Sequence, residues 1–483
     1  MVHYTQVSRR SFLRGAGIVA GSAALAACTS KAKPTAAATS SATSSGSVAG
    51  SSSGAAPSTV AASSSGVATG SAAAIKGGTL TVMCPSGEIS SEQIGLFEAA
   101  YPELKLNLIN YDTTRLNAMI AAGTPPDLVR DAGTDVTPYI ATRGLALDLD
   151  PYFAKSTVIQ ESDILPINDV WKWDGKVQGQ GPRYGMAKDW SQDAMWWYNP
   201  AAWQAAGITE PDPATPVTYD QLLEWAPKLT KSSNGKTSVY GLFTTAPSHD
   251  FISAMVATAG GKILSDDLLT ADFTSPEAQQ ALTWLVNAAK AKVGYSAVNP
   301  SPDWDGPEYL AGHQVSADAG YWFGGYLDTN NAKLEATTKF AAAPLLGTTR
   351  VSPSFGAVGY WIPAKAKNPD GSFAFMEWYC GGEGARARAA AGDGLPSLKS
   401  MLPLLPQQTA FQQQTYQVQQ AELPYLKVLA LASPYALGSA IDTAIAKVFP
   451  SAVTGSTTVA QLGDKMTSAA NAVLAQGKKA AGG

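Results

Sequence analysis

The sequence predicts an α/β fold built on parallel strands, and three observations lead there. From residue 79 onward, short apolar runs alternate with helix-period segments that carry their own start and stop signals. The order strand, helix, strand, helix is that of parallel βαβ units. The chain's 483 residues, 45% of them apolar, allow two or three domains with full-sized cores.

The elements follow in order. Thr79–Met83 is a strand whose end, Cys84-Pro85-Ser86-Gly87-Glu88, turns into a helix started by the capping box Ser90 and Gln93, with Ile94, Phe97 and Tyr101 on one face. Leu104, Leu106 and Leu108 alternate with Lys105 and Asn107 as a second strand, and a helix over 114–122 stops at Gly123. Pro126-Asp127 precedes a short strand at Leu128-Val129, and RDAGTD (130–135) reads as the loop after it. Thr218–Gln221 is another capping box, KSSNGK a polar loop, Val239–Phe243 a strand, and Ser248 the start of a helix ending at Gly260-Gly261. Pro276 opens a helix with Leu282, Leu285 and Val286 inward. AGHQVSAD (311–318) contains a short strand, GYWFGG (320–325) a permissive loop, and residues 402–483 a helical pattern.

The N-terminus reads as an address. Arg9-Arg10 precede a weakly apolar run over 15–27 that ends in Leu25-Ala26-Ala27-Cys28. The pair of arginines resembles a Tat export signal, and the last four residues resemble a lipobox whose Cys28 becomes lipidated, so that 1–27 is a signal peptide. The run is too short to span a bilayer. Residues 28–75 then form a Ser/Ala/Gly-rich tether with a coil reach of roughly 35–40 Å. Residues 76–483 hold 29 basic and 38 acidic groups, a balance that repels phosphate backbones and argues against nucleic acid.

Six of the twelve tryptophans fall between Trp171 and Trp203, and none precedes them. Trp197, Tyr198 and Trp203 read as core. Trp190, Gln192 and Trp196 alternate on one face of the inferred strand, and an aromatic plate among Asp189, Ser191 and Asp193 suits a polar ligand with an apolar face. Gly175-Lys176, Tyr184-Gly185, the apolar run ending Tyr198-Asn199, a short helix ending Ala206-Gly207 and then TYDQL resemble the sugar-binding extracellular solute-binding proteins (family 1) of ABC importers, lipoproteins like the maltose- and oligosaccharide-binding proteins. FEAAYPELKLNL, IAAGTPPDLV and GDGLPSLKS carry the resemblance from residue 78 to 400, and VQGQGP (177–182) departs from it as extra residues.

The resemblance implies a two-lobed periplasmic-binding-protein-like fold, each lobe a mostly parallel sheet flanked by helices, joined by hinge strands near 189–196 and 357–362. The lobes are expected at 76–189 with 358–397, and at 190–357 with 398–483. Ligand candidates are Glu88, Asp131, Thr134 and Asp135 at the carboxyl ends of the first sheet, with Asp135 equally able to cap a helix. Trp322 is placed to stack on a pyranose ring, and Tyr435 is a further aromatic. His249 and Asp250 read as solvated polar groups at a helix start, with a sugar contact as the alternative for Asp250. Cys84 and Cys380, in one lobe, admit a disulfide or two buried thiols.

No nucleophile motif, cofactor motif or metal-ligand spacing is present in the sequence. The expected protein is therefore a monomeric lipid-anchored binder without catalytic residues, cofactor or metal. It captures a sugar, especially an oligosaccharide, and delivers it to ABC permease subunits outside the cytoplasm. An exported carbohydrate-active enzyme, a tethered adhesin and a binder of another polar solute are the rivals.

Overall fold

The computed structural model describes residues 75–482, all within one compact unit. The twin arginines, Cys28 and the tether lie outside the described residues.

In chain order the elements that matter to the site are β1 (Gly78–Cys84), α1 (Ser91–Ala100), β2 (Leu104–Asn110), α2 (Thr113–Ala121), β3 (Leu128–Ala132), α3 (Gly133–Thr142), β4 (Gly185–Trp190) and β5 (Trp196–Tyr198). They continue with α4 (His249–Thr258), α5 (Pro276–Ala291), β6 (Ser316–Asp318), α6 (Phe323–Glu335, kinked at Asn331), β7 (Lys339–Ala341), β8 (Val358–Trp361), α7 (Pro369–Cys380) and β9 (Leu395–Pro396). Three helices, α8 (Ala410–Glu422), α9 (Gly438–Val448) and α10 (Val459–Ala480), complete the set.

Two lobes result. The first holds a six-stranded sheet in the order β9-β4-β8-β3-β1-β2. Here β1 runs parallel to β2 and β3, while β8 returns antiparallel between β3 and β4. The second holds β6-β5-β7, antiparallel at both pairings, with parallel bridges at Thr218 to Leu345 and Tyr240 to Gln314. The chain thus leaves the first sheet at Trp190, enters the second at Trp196, returns at Val358 and leaves again after Pro396.

Sequence signals explain the elements that position the site. Ser90 and Gln93 close their capping box at α1, Thr218 and Gln221 do so ahead of Tyr219–Leu229, and Ser275 caps α5 with Pro276 at its first turn. Leu80, Val82, Phe97, Leu128, Tyr360 and Phe375 build the first lobe's core, and Tyr198, Trp203, Ile252, Leu285, Ile445 and Met466 that of the second. A third cluster joins Met83, Val129 and Trp361 from the first sheet to Trp197, Trp304 and Trp322 from the second lobe. The two lobes are therefore packed together by apolar contact along the crossings.

Four expectations need correction. Trp190, Gln192 and Trp196 do not share one strand face, because 191–195 lie outside both sheets. There the Ser354 hydroxyl donates to the Ser191 carbonyl and the Asp193 carboxylate accepts from the Phe355 N–H (3.3 Å), so side chains replace the ladder. RDAGTD is not a loop: Arg130 and Asp131 end β3, and Gly133 opens α3. GYWFGG is loop only in its first half: Gly320 to Trp322 form a turn, and Phe323 to Gly325 open α6. KSSNGK is a hairpin of Lys231–Ser233 with Lys236–Val239, turned at Asn234 (φ 52°) and Gly235 (φ 73°), so the strand expected at 239–243 ends at Val239. Cys84 and Cys380 are free buried thiols, each pushed up to about 12 by burial.

Candidate functional site

The carboxyl ends of β1 and β3 bring the first group of polar residues together. Glu88, beyond the end of β1, is buried and pairs through Oε2 with the Arg130 Nε at 2.9 Å. The Tyr360 hydroxyl donates to Glu88 Oε1 at 2.8 Å, and the Tyr379 hydroxyl to the Glu88 carbonyl at 3.3 Å. Burial works against the charge on Glu88, but Arg130 and then Lys188 outweigh it and hold the carboxyl at about 2. Asp131 accepts from the Tyr111 hydroxyl (2.8 Å) and from the Trp361 indole (2.7 Å); burial nevertheless pushes it up to about 6.

The next two residues along the chain meet the other lobe. The Thr134 hydroxyl donates to the Phe355 carbonyl, and the Leu431 N–H donates to the Thr134 carbonyl at 3.4 Å. Asp135, in the first turn of α3, makes no cap: the N-cap residue is Ala132, and Asp135 Oδ1 is sealed from solvent without a hydrogen-bond partner. Burial raises its carboxyl to about 8, opposed by His249 and reinforced by Asp250, Asp442 and Asp131. Across from it, His249 at the start of α4 is 3% exposed, which corrects the expectation of solvated groups at this helix start. Asp442 Oδ1 accepts from the His249 N–H at 2.6 Å and lies 3.0 Å from its Nδ1. Burial opposes charge on His249, but Asp442, Asp250 and Asp135 raise it to about 10.

On the second lobe, Asp193 is a hub. Its carboxylate accepts from the Ser191 hydroxyl and the Phe355 N–H, and burial lifts it to about 7. Gly320 and Gly356 are required beside it, because a Cβ would come 2.3 Å from Ser191 Oγ at the first and 2.5 Å from Asp193 Oδ2 at the second. Asp305 accepts from the backbone N–H groups of Thr244 (3.2 Å) and Asp318 (2.9 Å). The Asp318 carboxyl is raised well above its ordinary value by burial, then by Asp305, Asp250 and Asp193. Next to this group, Trp322 is 6% exposed, with its ring 5.7 Å from Trp304 and 5.8 Å from Phe323. Together these groups bring carboxyls and indoles into one region, a combination suited to hydroxyl-rich solutes with apolar faces.

A family profile described as bacterial extracellular solute-binding protein matches residues 93–416. The chain belongs to that family. No match was found among curated proteins. Among solved structures, an ABC substrate-binding protein from Listeria monocytogenes in complex with cycloalternan is 21% identical, with a TM-score of 0.69 over 82% of this chain and 99% of that one. A solute-binding protein from Thermotoga lettingae bound with α-D-tagatose is 20% identical, at 0.67 over 82% and 99%. The GacH receptor of Streptomyces glaucescens, solved unliganded and with acarbose, is 18% identical, at 0.63 over 83% and 99%. These likenesses establish the two-lobed fold. Membership of the family places the protein outside the cytoplasm among binding proteins, and among the described residues no helix is long and apolar enough to cross a membrane.

In this member of the extracellular solute-binding proteins the expected residues are placed unequally. Thr134, Asp135, Asp250 and Trp322 stand among groups from both lobes, whereas Glu88 and Asp131 keep to first-lobe partners. Trp190 gives its indole N–H to the Pro396 carbonyl at 3.1 Å, and Gln192 its amide to the Glu422 carbonyl at 2.8 Å. Trp196 stacks on Tyr198 at 4.9 Å inside the second lobe's core. Tyr435 offers its carbonyl to Arg143 at 3.3 Å, while Lys478 lies 5.9 Å over its ring. Sequence reasoning missed Asp193, Trp304, Asp305, Asp318 and Asp442. Asp193 and Asp318 stand beside words already singled out; Asp442 sits inside an amphipathic helix with no local signal.

A cavity of 440 Å³ opens at the amino end of β1 beside Thr79, Asp127 and Asn368. That is the opposite end of the sheet from Glu88 and Asp131, and parallel strands bind ligands at their carboxyl ends. Chemistry therefore outranks volume here.

Proposed function

We propose that this solute-binding protein captures a sugar, most fittingly an oligosaccharide, between its lobes and hands it to the permease of an ABC importer. Supporting this reading above all is one grouping: the indoles of Trp322 and Trp304 meet in the apolar cluster that joins the lobes, the carboxyls of Asp193, Asp250 and Asp305 act on that of Asp318, and Asp135 of the first lobe lies within reach of Asp250. Indole faces cover the apolar face of a pyranose, and carboxylates accept from its hydroxyls. The bound sugars of the Listeria and Streptomyces neighbours are in keeping with it.

The lobes run over 76–189 with 358–397 and over 190–357 with 398–483, and solute contacts on both favour a closed arrangement. Within this scheme Trp322, Asp131 and Tyr435 meet solute. Glu88, Thr134, Trp190, Gln192 and Trp196 hold the frame that presents them. Cys28, lipidated after Tat export, tethers the monomer to the membrane.

A thermal-shift screen of oligosaccharides, monosaccharides, polyols and peptides tests the substrate class, since a ligand that binds only the native state raises its melting temperature. Shifts by oligosaccharides, confirmed by calorimetry, are expected; shifts by peptides alone would overturn the reading. Replacing Cys28 by Ser should move the protein from the membrane to the soluble fraction. Retention of a processed Cys28→Ser chain on the membrane would remove the anchor.

A further inference from the structure

We propose that His249, Asp250 and Asp442, joined by Asp135, form a binding site for one divalent transition-metal ion of the zinc type where α3, α4 and α9 meet. Ligand atoms of the first three lie within 4.8 Å of one another. Neighbouring ligands on a tetrahedral zinc are about 3–3.6 Å apart, so the trio needs only a small contraction to share an ion.

The backbone fixes one nitrogen of the histidine. Its Nε2 lies 3.1 Å from the Leu431 carbonyl, and a carbonyl can only accept, so Nε2 carries the proton. Metal-binding histidines hold their tautomer in this way, through the ring nitrogen that does not ligate. Nδ1 faces Asp442 Oδ1 at 3.0 Å, and an ion would bind there in place of the proton between them. The ring is also pressed against the helix that carries Asp442: a Cβ at Gly438 would come 2.3 Å from His249 Cε1, and Gly438 and Asp442 are one turn apart on α9.

Charge balance supplies an independent argument. An imidazolium paired with Asp442 would account for that carboxylate alone. Asp250 Oδ1 accepts from the neighbouring Phe251 N–H at 2.8 Å, and Asp135 Oδ1 is sealed from solvent with no partner at all. Three carboxylates thus gather round one imidazole at a partly exposed junction, and a dication among them would relieve their mutual repulsion. One imidazole with carboxylates suits zinc better than calcium, which takes six to eight oxygens. The ligands come from positions 135, 249, 250 and 442, so no spacing in the sequence announces them. Because Asp135 belongs to the first sheet's side and the other three to the second lobe, an ion here would also draw the lobes together.

The test uses the tag-free full chain, solubilised and stripped with chelator, so that no affinity tag binds the probe. Zn2+ alone is titrated by calorimetry beside Ca2+ and Mg2+, and Co2+ is added to read its visible absorption as a report of coordination. One equivalent of Zn2+ bound in the micromolar range or tighter is expected, with Ca2+ and Mg2+ at least a hundredfold weaker. His249→Gln should abolish binding. Asp250→Asn and Asp442→Asn should each weaken it more than tenfold while circular dichroism stays native, which keeps the test decisive if the buried histidine variant fails to fold. Absence of Zn2+ binding in this range, a Zn2+ affinity indifferent to Asp250→Asn and Asp442→Asn, or equal affinity for Ca2+ would each overturn the site.

Discussion

Two buried carboxylates, Glu88 and Asp193, do the same mechanical job in different electrical settings. Each fastens remote pieces of chain: Glu88 ties β3 and β8 through Arg130 and Tyr360, and Asp193 ties the two crossings through Ser191 and Phe355. Glu88 has a cation at 2.9 Å and stays ionised to about 2; Asp193 has hydrogen bonds but no cation among its contacts, and rises to about 7. The first lobe's anchor is thus a fixed charge. The one at the crossings can gain a proton near neutrality.

The sharpest way to break this comparison is to remove the cation. Arg130→Met strands Glu88 in the interior and should cost about 3–5 kcal/mol of folding stability, read by denaturant unfolding. The double variant Arg130→Met with Glu88→Gln should recover much of it; a single-variant loss below about 1 kcal/mol would show that Glu88 is not held by charge.

Trp322→Ala comes next, moving from anchors to lining. If the indole covers a sugar, affinity for the ligand found by screening should fall by about 2 kcal/mol or roughly thirtyfold. A large melting loss with an unchanged dissociation constant would return Trp322 to the core it shares with Trp304.

Gly356→Ala probes the space around Asp193. Its Cβ would stand 2.5 Å from Oδ2, so the carboxylate or the crossing must shift, for about 1 kcal/mol, the lower end of the overpacking range. Wild-type melting in this variant would mean the crossings are looser than their contacts imply.

The last test is on pH dependence, where the two carboxylates carry opposite signs. Asp193 binds its proton more tightly folded than unfolded, so its contribution is full below about 3.8 and is lost as pH rises through about 7. Glu88 contributes above about 4.5 and loses this as pH falls through about 2. In chemical denaturation in chelator, Asp193 alone should make stability fall by about 1 kcal/mol per pH unit between pH 5 and 7. Asp193→Asn should flatten that slope; an unchanged slope would move the titration elsewhere.

The sequence made elements of both lobes readable where their signals are local. Ser90 with Gln93 and Thr218 with Gln221 start helices by bonds within four residues, and the Leu104–Leu108 alternation needs only a neighbouring strand. The Asn234-Gly235 turn was equally local and was passed over as loop. The stretch from Trp190 to Trp196 misled for the opposite reason. Its apolar spacing suggested one strand, yet partners some 160 residues away, Ser354 and Phe355, took its polar groups. At the site, Asp135, His249 and Asp442 are far apart in the chain, and only tertiary packing gives them a common purpose.

One outlying piece reaches the site without touching it. The hairpin of Lys172–Trp173 with Gln178–Arg183, which contains the extra VQGQGP residues, grips α3 at both ends. The Gln178 amide donates to the Gly133 carbonyl at 2.7 Å, where the helix begins, and the Trp173 indole to the Thr142 hydroxyl at 3.0 Å, where it finishes. Between those clamps ride Thr134 and Asp135. The hairpin is a calliper on the helix, and any lengthening or trimming of its strands resets the height of that wall from the outside. Selectivity can therefore drift through residues that never meet the solute.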